Sequence, residues 1–150
     1  MTVGLGRYLA VDYGIKRIGL AISDPLGVIA TPAGFITRRA RKRAPIAELM
    51  RQAAALEARG FVVGLPLDGN GDETPWSREV RTVGDELARR TGLPVYYVDE
   101  RYTTARAIRG MRDAGTSTRD KGDVDAAAAA VLLEFFLATA TDRTPETGRE

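Results

Sequence analysis

The chain has 150 residues, 44% of them hydrophobic and 28% charged, with a formal net charge of +2 and neither cysteine nor histidine. Those two absences exclude a disulfide framework, a thiolate nucleophile, Cys- or His-ligated metals and every mechanism built on a histidine general base. An enzyme of this composition works with carboxylates, hydroxyls, Lys, Arg and a hard metal ion.

A length near that of one ordinary domain, burying roughly 70% of the unfolded chain's surface, predicts a single compact core over residues 1–138. No apolar run reaches the ~18 residues of a membrane span, and the opening MTVG lacks the charged and apolar regions of a signal peptide. A cytoplasmic protein with no membrane association is the expectation. Lys16, Lys42 and Lys121 are the only lysines; the other cations are Arg, which suits forked phosphate contacts and stacking on bases, although a codon bias toward Arg explains the same excess.

Residues 8–12 (YLAVD) and 17–23 (RIGLAIS) are β-type apolar runs joined through Gly14, a spacing that predicts an antiparallel hairpin. An extended run at 33–37 completes a three-stranded meander. Over 45–59 the apolar positions Ile46, Leu49, Met50, Ala53 and Leu56 fall at helical spacing, and Gly60 ends the pattern. The continuous apolar run 61–65 (FVVGL) suits a strand buried on both faces. A glycine-rich loop, a helix over 74–91 and a second buried strand at 95–98 follow, and strand–helix–strand order implies parallel pairing. Helices over 104–113 and 124–138 complete the domain, and 139–150 reads as a disordered tail. The result is an α/β, mixed five-stranded sheet, three antiparallel strands and then two parallel ones, with helices on both faces, which is the architecture of ribonuclease H.

Asp12 closes an apolar strand, where a buried carboxylate is costly unless paired or metal-bound; its plainer role is that of a turn residue before Gly14. Asp99 and Glu100 close the strand at 95–98 in the same way, and because neighbouring strand residues point to opposite faces, at most one of them shares a site with Asp12 unless the strand has already ended. In the last helix Asp123 is placed as an N-cap and Asp125 in the first turn, where the helix dipole favours an acid; alternatively Asp125 points across the sheet toward Asp12. Carboxylates gathered from two strand ends and a helix start repel one another, and oxygen-only ligands select Mg²⁺ or Mn²⁺ to hold them. Two such ions about 4 Å apart activate a water and stabilise the leaving oxygen of a phosphodiester with no histidine. Asp68, Asn70, Asp72 and Glu79 mimic a calcium-binding EF-hand loop, but Glu73 stands where that loop needs Gly.

The basic candidates are Arg38, Arg39, Arg41 and Arg43, clustered with Lys42, and Arg106, Arg109 and Arg112, three apart on one helix face. Either set suits a phosphate backbone, or else is a solvated charged surface. Trp76 and Tyr102 are candidates for stacking on bases or for ordinary packing.

The segments VDYGIKRIGLAISD (11–24), VVGLPLDGNGDETP (62–75), VDERYTTARA (98–107) and VDAAAAAVLLEFFL (124–137) resemble, in order and spacing, the motifs of the YqgF family, also called RuvX, pre-16S rRNA nucleases and Holliday junction resolvase-like proteins. The resemblance runs from about Arg7 to Leu137. It implies a ribonuclease H-like fold and a metal-dependent phosphodiesterase site with Asp12, Glu100 and Asp125 as catalytic metal ligands, Asp99 and Asp123 standing as further candidates. An Ala run replaces the family's more varied apolar residues in the last motif. Lys16 and Arg17, directly after the first acid, are candidate phosphate contacts together with Arg101, Arg106 and Arg109.

The implied activity is endonucleolytic cleavage of structured nucleic acid, as maturation of the 5′ end of pre-16S rRNA, with pre-rRNA and ribosomal particles as partners. Cleavage of branched four-way DNA junctions is the rival, and it needs two sites and therefore a homodimer. A second rival is an actin-like ATPase, because Asp12-Tyr13-Gly14 in a hairpin resembles its phosphate-binding loop; those enzymes, however, close two such domains around the nucleotide. A third is a non-catalytic ribosome-assembly factor that binds RNA through Arg.

Overall fold

The computed structural model describes residues 6–39, 43–111 and 117–139. Among them, strands β1 (Arg7–Tyr13), β2 (Arg17–Ser23), β3 (Ala30–Thr37), β4 (Ala58–Leu65) and β5 (Val95–Asp99) form one sheet in the order β3-β2-β1-β4-β5. The β1–β2 and β2–β3 pairs are antiparallel, and β1–β4 and β4–β5 are parallel. Helices α1 (Ile46–Ala55), α2 (Pro75–Thr91), α3 (Ala105–Arg109) and α4 (Thr118–Thr139) complete the architecture, with one 3₁₀ turn at Glu100–Tyr102. The mixed sheet expected from the sequence is the one observed.

Strand alternation divides the core between two faces. Leu9, Val11 and Tyr13 of β1 join Leu20, Phe61 and Val63 in packing against Leu49 of α1 and Val80 and Leu87 of α2. Tyr8 and Ala10 join Ala21, Val62, Tyr96 and Val98 against Ala129, Leu132 and Phe136 of α4. Each of the central strands β1 and β4 is therefore apolar on both sides, which accounts for their nearly continuous hydrophobic sequences.

Boundaries differ where tertiary contacts outweigh local pattern. The helix read over 45–59 stops at Ala55, because Glu57 takes a left-handed conformation (φ 57°) and the following residues pair with β1, Ala58 opposite Arg7 and Gly60 opposite Tyr8. The last helix begins at Thr118, not 124: the Ser117 hydroxyl accepts the amide N–H of Asp120 at 3.0 Å and caps it. Asp123 is consequently inside the helix and is not its N-cap. β3 starts at Ala30, three residues before the extended run suggested, and α3 ends at Arg109. Arg41, Arg112 and the expected tail beyond Thr139 lie outside the described residues. No described helix is long and apolar enough to cross a membrane.

The feature that positions α4 is its closeness to the sheet. A Cβ placed on Gly19 would lie 2.0 Å from the carbonyl oxygen of Asp125, and one on Gly122 would lie 2.2 Å from the ring of Phe35. Small residues on both elements let the backbones meet, and the Ala run at 126–130 keeps the rest of the helix equally near. Gly19→Ala is expected to lower the free energy of unfolding by at least about 2 kcal/mol, since backbone rather than a flexible side chain blocks the added carbon. Gly110→Ala, with open space around it and φ −61°, is the control and leaves stability unchanged or slightly raised. Urea denaturation of the two variants checks the difference.

Candidate active site

The alternation that places Tyr8 and Ala10 under α4 carries Asp12 to the same side of the sheet. Asp12 stands opposite Gly19 in the β1–β2 register, so both face α4, and the backbone of Asp125 occupies the space that Gly19 leaves. Glu100 follows Val98 by two residues at the end of β5, just as that strand gives way to the 3₁₀ turn. Three carboxylates from β1, the β5 end and α4 thus converge, and each is buried: Asp12 is 6% exposed, Glu100 3% and Asp125 2%.

Arginines compensate all three. Arg109 donates through Nη1 to Asp12 Oδ1 at 2.9 Å and through Nη2 to Glu100 Oε1 at 2.6 Å. Arg106 reaches Glu100 Oε2 at 3.2 Å, and Arg17 donates through Nε to Asp125 Oδ2 at 2.7 Å. Even so, burial pushes the Asp12 carboxyl up from 3.8 to about 6; Arg109 opposes the rise, while the charges of Glu100 and Asp125 add to it. The three acids therefore share one electrostatic environment.

Asp99 and Asp123 stand apart from this group. Asp99 accepts the amide N–H of Arg101 at 3.0 Å and the Arg101 Nη2 at 2.7 Å, and these hydrogen bonds hold its carboxyl below the usual range. Its side chain caps the 3₁₀ turn, in keeping with adjacent strand-end residues facing opposite ways. Asp123 is exposed on α4. Asp68 accepts the amides of Asn70 and Asp72 within its own loop at 2.8 and 2.9 Å, a local turn in place of an EF-hand.

A solvent-open cavity of about 370 Å³ lies over Asp12 and Glu100, with Lys16, Arg109, Lys121 and Trp76 in its wall. The Trp76 ring stacks on Tyr13 at 5.6 Å, and the Arg38 guanidinium sits 4.6 Å from the centre of the Tyr13 ring while donating to the Gly14 carbonyl oxygen at 2.9 Å. Tyr102 stacks on Phe135, away from the cavity wall.

The candidate phosphate contacts divide accordingly. Lys16 is exposed at the cavity rim, and Arg39 and Arg43 are exposed elsewhere. Arg17 lines the cavity while its Nε holds Asp125, because its strand parity turns it toward α4. Arg101 is drawn to Asp99 and the Gly69 carbonyl oxygen, and Arg106 to the Leu67 carbonyl oxygen. Lys121 is the cation that sequence reasoning missed. Its signal is the i, i+4 spacing to Asp125, which becomes meaningful only when the helix is started at Ser117 by its S-x-x-D cap pattern.

The donor set suits a hard divalent cation: oxygen only, buried, and already holding a positive charge, since the Arg109 guanidinium bridges Asp12 and Glu100. Among the described residues, however, no three acids are gathered closely enough to hold an ion between them as they stand.

A family model described as "RuvX: Holliday junction resolvase" matches residues 6–139. A protein of Oleidesulfovibrio alaskensis named "Putative pre-16S rRNA nuclease" is 41% identical over 138 residues, covering 91% of this chain and 95% of its own length. A protein of the same name from Anaeromyxobacter sp. is 42% identical over 132 residues, covering 87% of this chain and 96% of its own length. Among solved structures, Thermus thermophilus RuvC in complex with Holliday junction substrate superposes with a TM-score of 0.55 at 13% identity, over 88% of this chain and 93% of that one, a likeness of fold.

The raised Asp12 carboxyl sets a pH dependence for the protein in chelator. Asp12 binds its proton more tightly folded than unfolded, so its contribution favours the folded state below about pH 4 and is lost as pH rises through about 6. At ~1.4 kcal/mol per pH unit this amounts to about 3 kcal/mol. Urea unfolding in EDTA is expected to show wild type losing that much relative to Asp12→Asn between pH 4 and 7; a constant difference contradicts the assignment.

Proposed function

This chain belongs to the RuvX family, and on that premise we propose that it is a metal-dependent endonuclease that hydrolyses phosphodiester bonds in structured RNA, with the 5′ end of pre-16S rRNA as its substrate. The observation that carries the reading is that two buried carboxylates from separate elements, Asp12 and Glu100, line a cavity open to solvent and bordered by cations, with a third, Asp125, buried behind the cavity-lining Arg17. A buried acid cluster is unfavourable for stability, and the fold maintains it where a large ligand has access. The names of the curated relatives supply the RNA, and a cytoplasmic setting goes with it.

Asp12, Glu100 and Asp125 would hold Mg²⁺ or Mn²⁺. A bound divalent ion supplies polarisation of the phosphoryl group and activation of the attacking water. Arg17 fixes the orientation of Asp125 through a buried ion pair, and the missing side chain at Gly19 lets the Asp125 backbone approach the sheet. Lys16 and Lys121 border the cavity and attract the sugar–phosphate chain, making binding salt-dependent without reading sequence. Trp76, supported by Tyr13, offers an aromatic surface at the same cavity.

The description of the matching family model favours a second reading, resolution of four-way DNA junctions by a homodimer. A cleavage assay with Mg²⁺ or Mn²⁺ on a pre-16S rRNA fragment and on a four-way junction separates the two. The RNA is expected to be cut, Asp12→Asn to be slower by at least about 100-fold, and EDTA to stop the reaction. Symmetric cutting of the junction alone transfers the activity to the second reading. Cleavage that persists in Asp12→Asn or in chelator overturns the carboxylate–metal site.

A further inference from the structure

We propose that Arg109 is the resident counter-cation of the Asp12–Glu100 pair and that a divalent metal ion enters the site by displacing it. This rests on the nuclease reading above and adds a competition within the site that the reading does not require.

Three observations carry it. First, one guanidinium spans the two carboxylates, with its nitrogens 2.9 Å from Asp12 and 2.6 Å from Glu100, and the Arg109 side chain is only 17% exposed. It fills the space between two of the three acids, which accounts for the absence, among the described residues, of an acid cluster ready to hold an ion. Second, the charges balance without a metal. Asp12, Glu100 and Asp125 face the buried Arg17 and Arg109 and the half-exposed Arg106, so adding a divalent ion with every arginine in place leaves an excess of two positive charges at a largely buried site. That excess is costly at low dielectric, and expulsion of a cation relieves it. Third, Arg109 is the cation whose withdrawal uncovers both acids at once. Arg17 pairs with Asp125, and Arg106 reaches only Glu100, at 3.2 Å with its side chain half exposed. Arg109 ends the five-residue helix α3, and its side chain borders the solvent-open cavity into which it would withdraw.

The consequence is quantitative. A site competent for metal only when Arg109 has withdrawn binds with an apparent Kd equal to the intrinsic Kd divided by the open fraction. If the guanidinium is engaged nine-tenths of the time or more, deleting it tightens metal binding by about tenfold or more.

Calorimetric titration of the full chain with Mn²⁺ tests this, paired with thermal unfolding. Arg109→Ala is expected to bind Mn²⁺ at least about tenfold more tightly than wild type, and Arg106→Ala to differ from wild type by less than about threefold. Mn²⁺ should raise the Tm of Arg109→Ala by more than that of wild type, because the variant removes the ion pair of Asp12 and leaves Glu100 with Arg106 alone until the ion arrives. If Arg109→Ala does not fold without metal, Arg109→Gln, which keeps hydrogen bonding without the charge, is held to the same expectations. A merely structural role predicts the opposite sign, since loosening the site weakens binding. Equal or weaker Mn²⁺ binding in the Arg109 variants, abolished by Glu100→Gln, overturns the displacement and leaves the nuclease reading intact. Mn²⁺ binding absent from wild type and variants alike, or indifferent to Glu100→Gln, overturns both.

Discussion

The site exists because a helix backbone touches a strand backbone. Gly19 is opposite Asp12 across the β1–β2 pair, and the carbonyl of Asp125 takes the volume that any side chain at Gly19 would fill. A glycine inside a strand sacrifices packing and conformational entropy, so its presence there needs a compensating contact, and α4 provides it. Residues 19 and 21 of β2 also carry a register shift against β3, a local irregularity of the kind that accompanies functional sites in sheets. Once α4 is seated, Asp125 is buried on the same side of the sheet as Asp12 and held by Arg17.

Seating creates the electrostatic problem that the arginines answer. Three acids under 10% exposed cannot all remain ionised without partners, and the raised Asp12 carboxyl registers how incompletely burial is offset. Arg17 holds the acid delivered by α4, and Arg109 spans the two acids of the sheet; both guanidinium side chains border the cavity. The near-neutral net charge of the chain conceals this arrangement, because three acids and three arginines gathered at the site cancel in the sum.

Much of the fold was legible in the chain. The hairpin, the parallel strands and the two-faced sheet followed from apolar runs and connection lengths, whereas the end of β5 at Asp99 puts Glu100 in a 3₁₀ turn beyond the reach of strand parity. The misreadings have local causes. Asp123 looked like an N-cap because the Ala run after it is the obvious helix, while Ser117 was hidden behind the polar, glycine-containing segment 118–123 that continues the same helix. The helix through 59 followed real periodicity, but pairing with β1 claimed 58–60. The intramolecular partners of Arg17, Arg101 and Arg106 were not legible, because sequence reveals the charge of a side chain and not the carboxylate or carbonyl it meets.

By itself the sequence determined the chemistry available: no histidine, no cysteine, and acids closing strands where burial makes them costly. Those are properties of residue type and alternation, which are local. Only the tertiary structure decided which acids meet. Asp12 and Asp125 are separated by most of the chain, and their proximity depends on the absence of a Cβ at Gly19 and on the entry path of α4. It also decided that a guanidinium occupies the space between two of the acids, because the position of a long, flexible side chain follows from the charges folded around it and is not encoded in its neighbours along the chain.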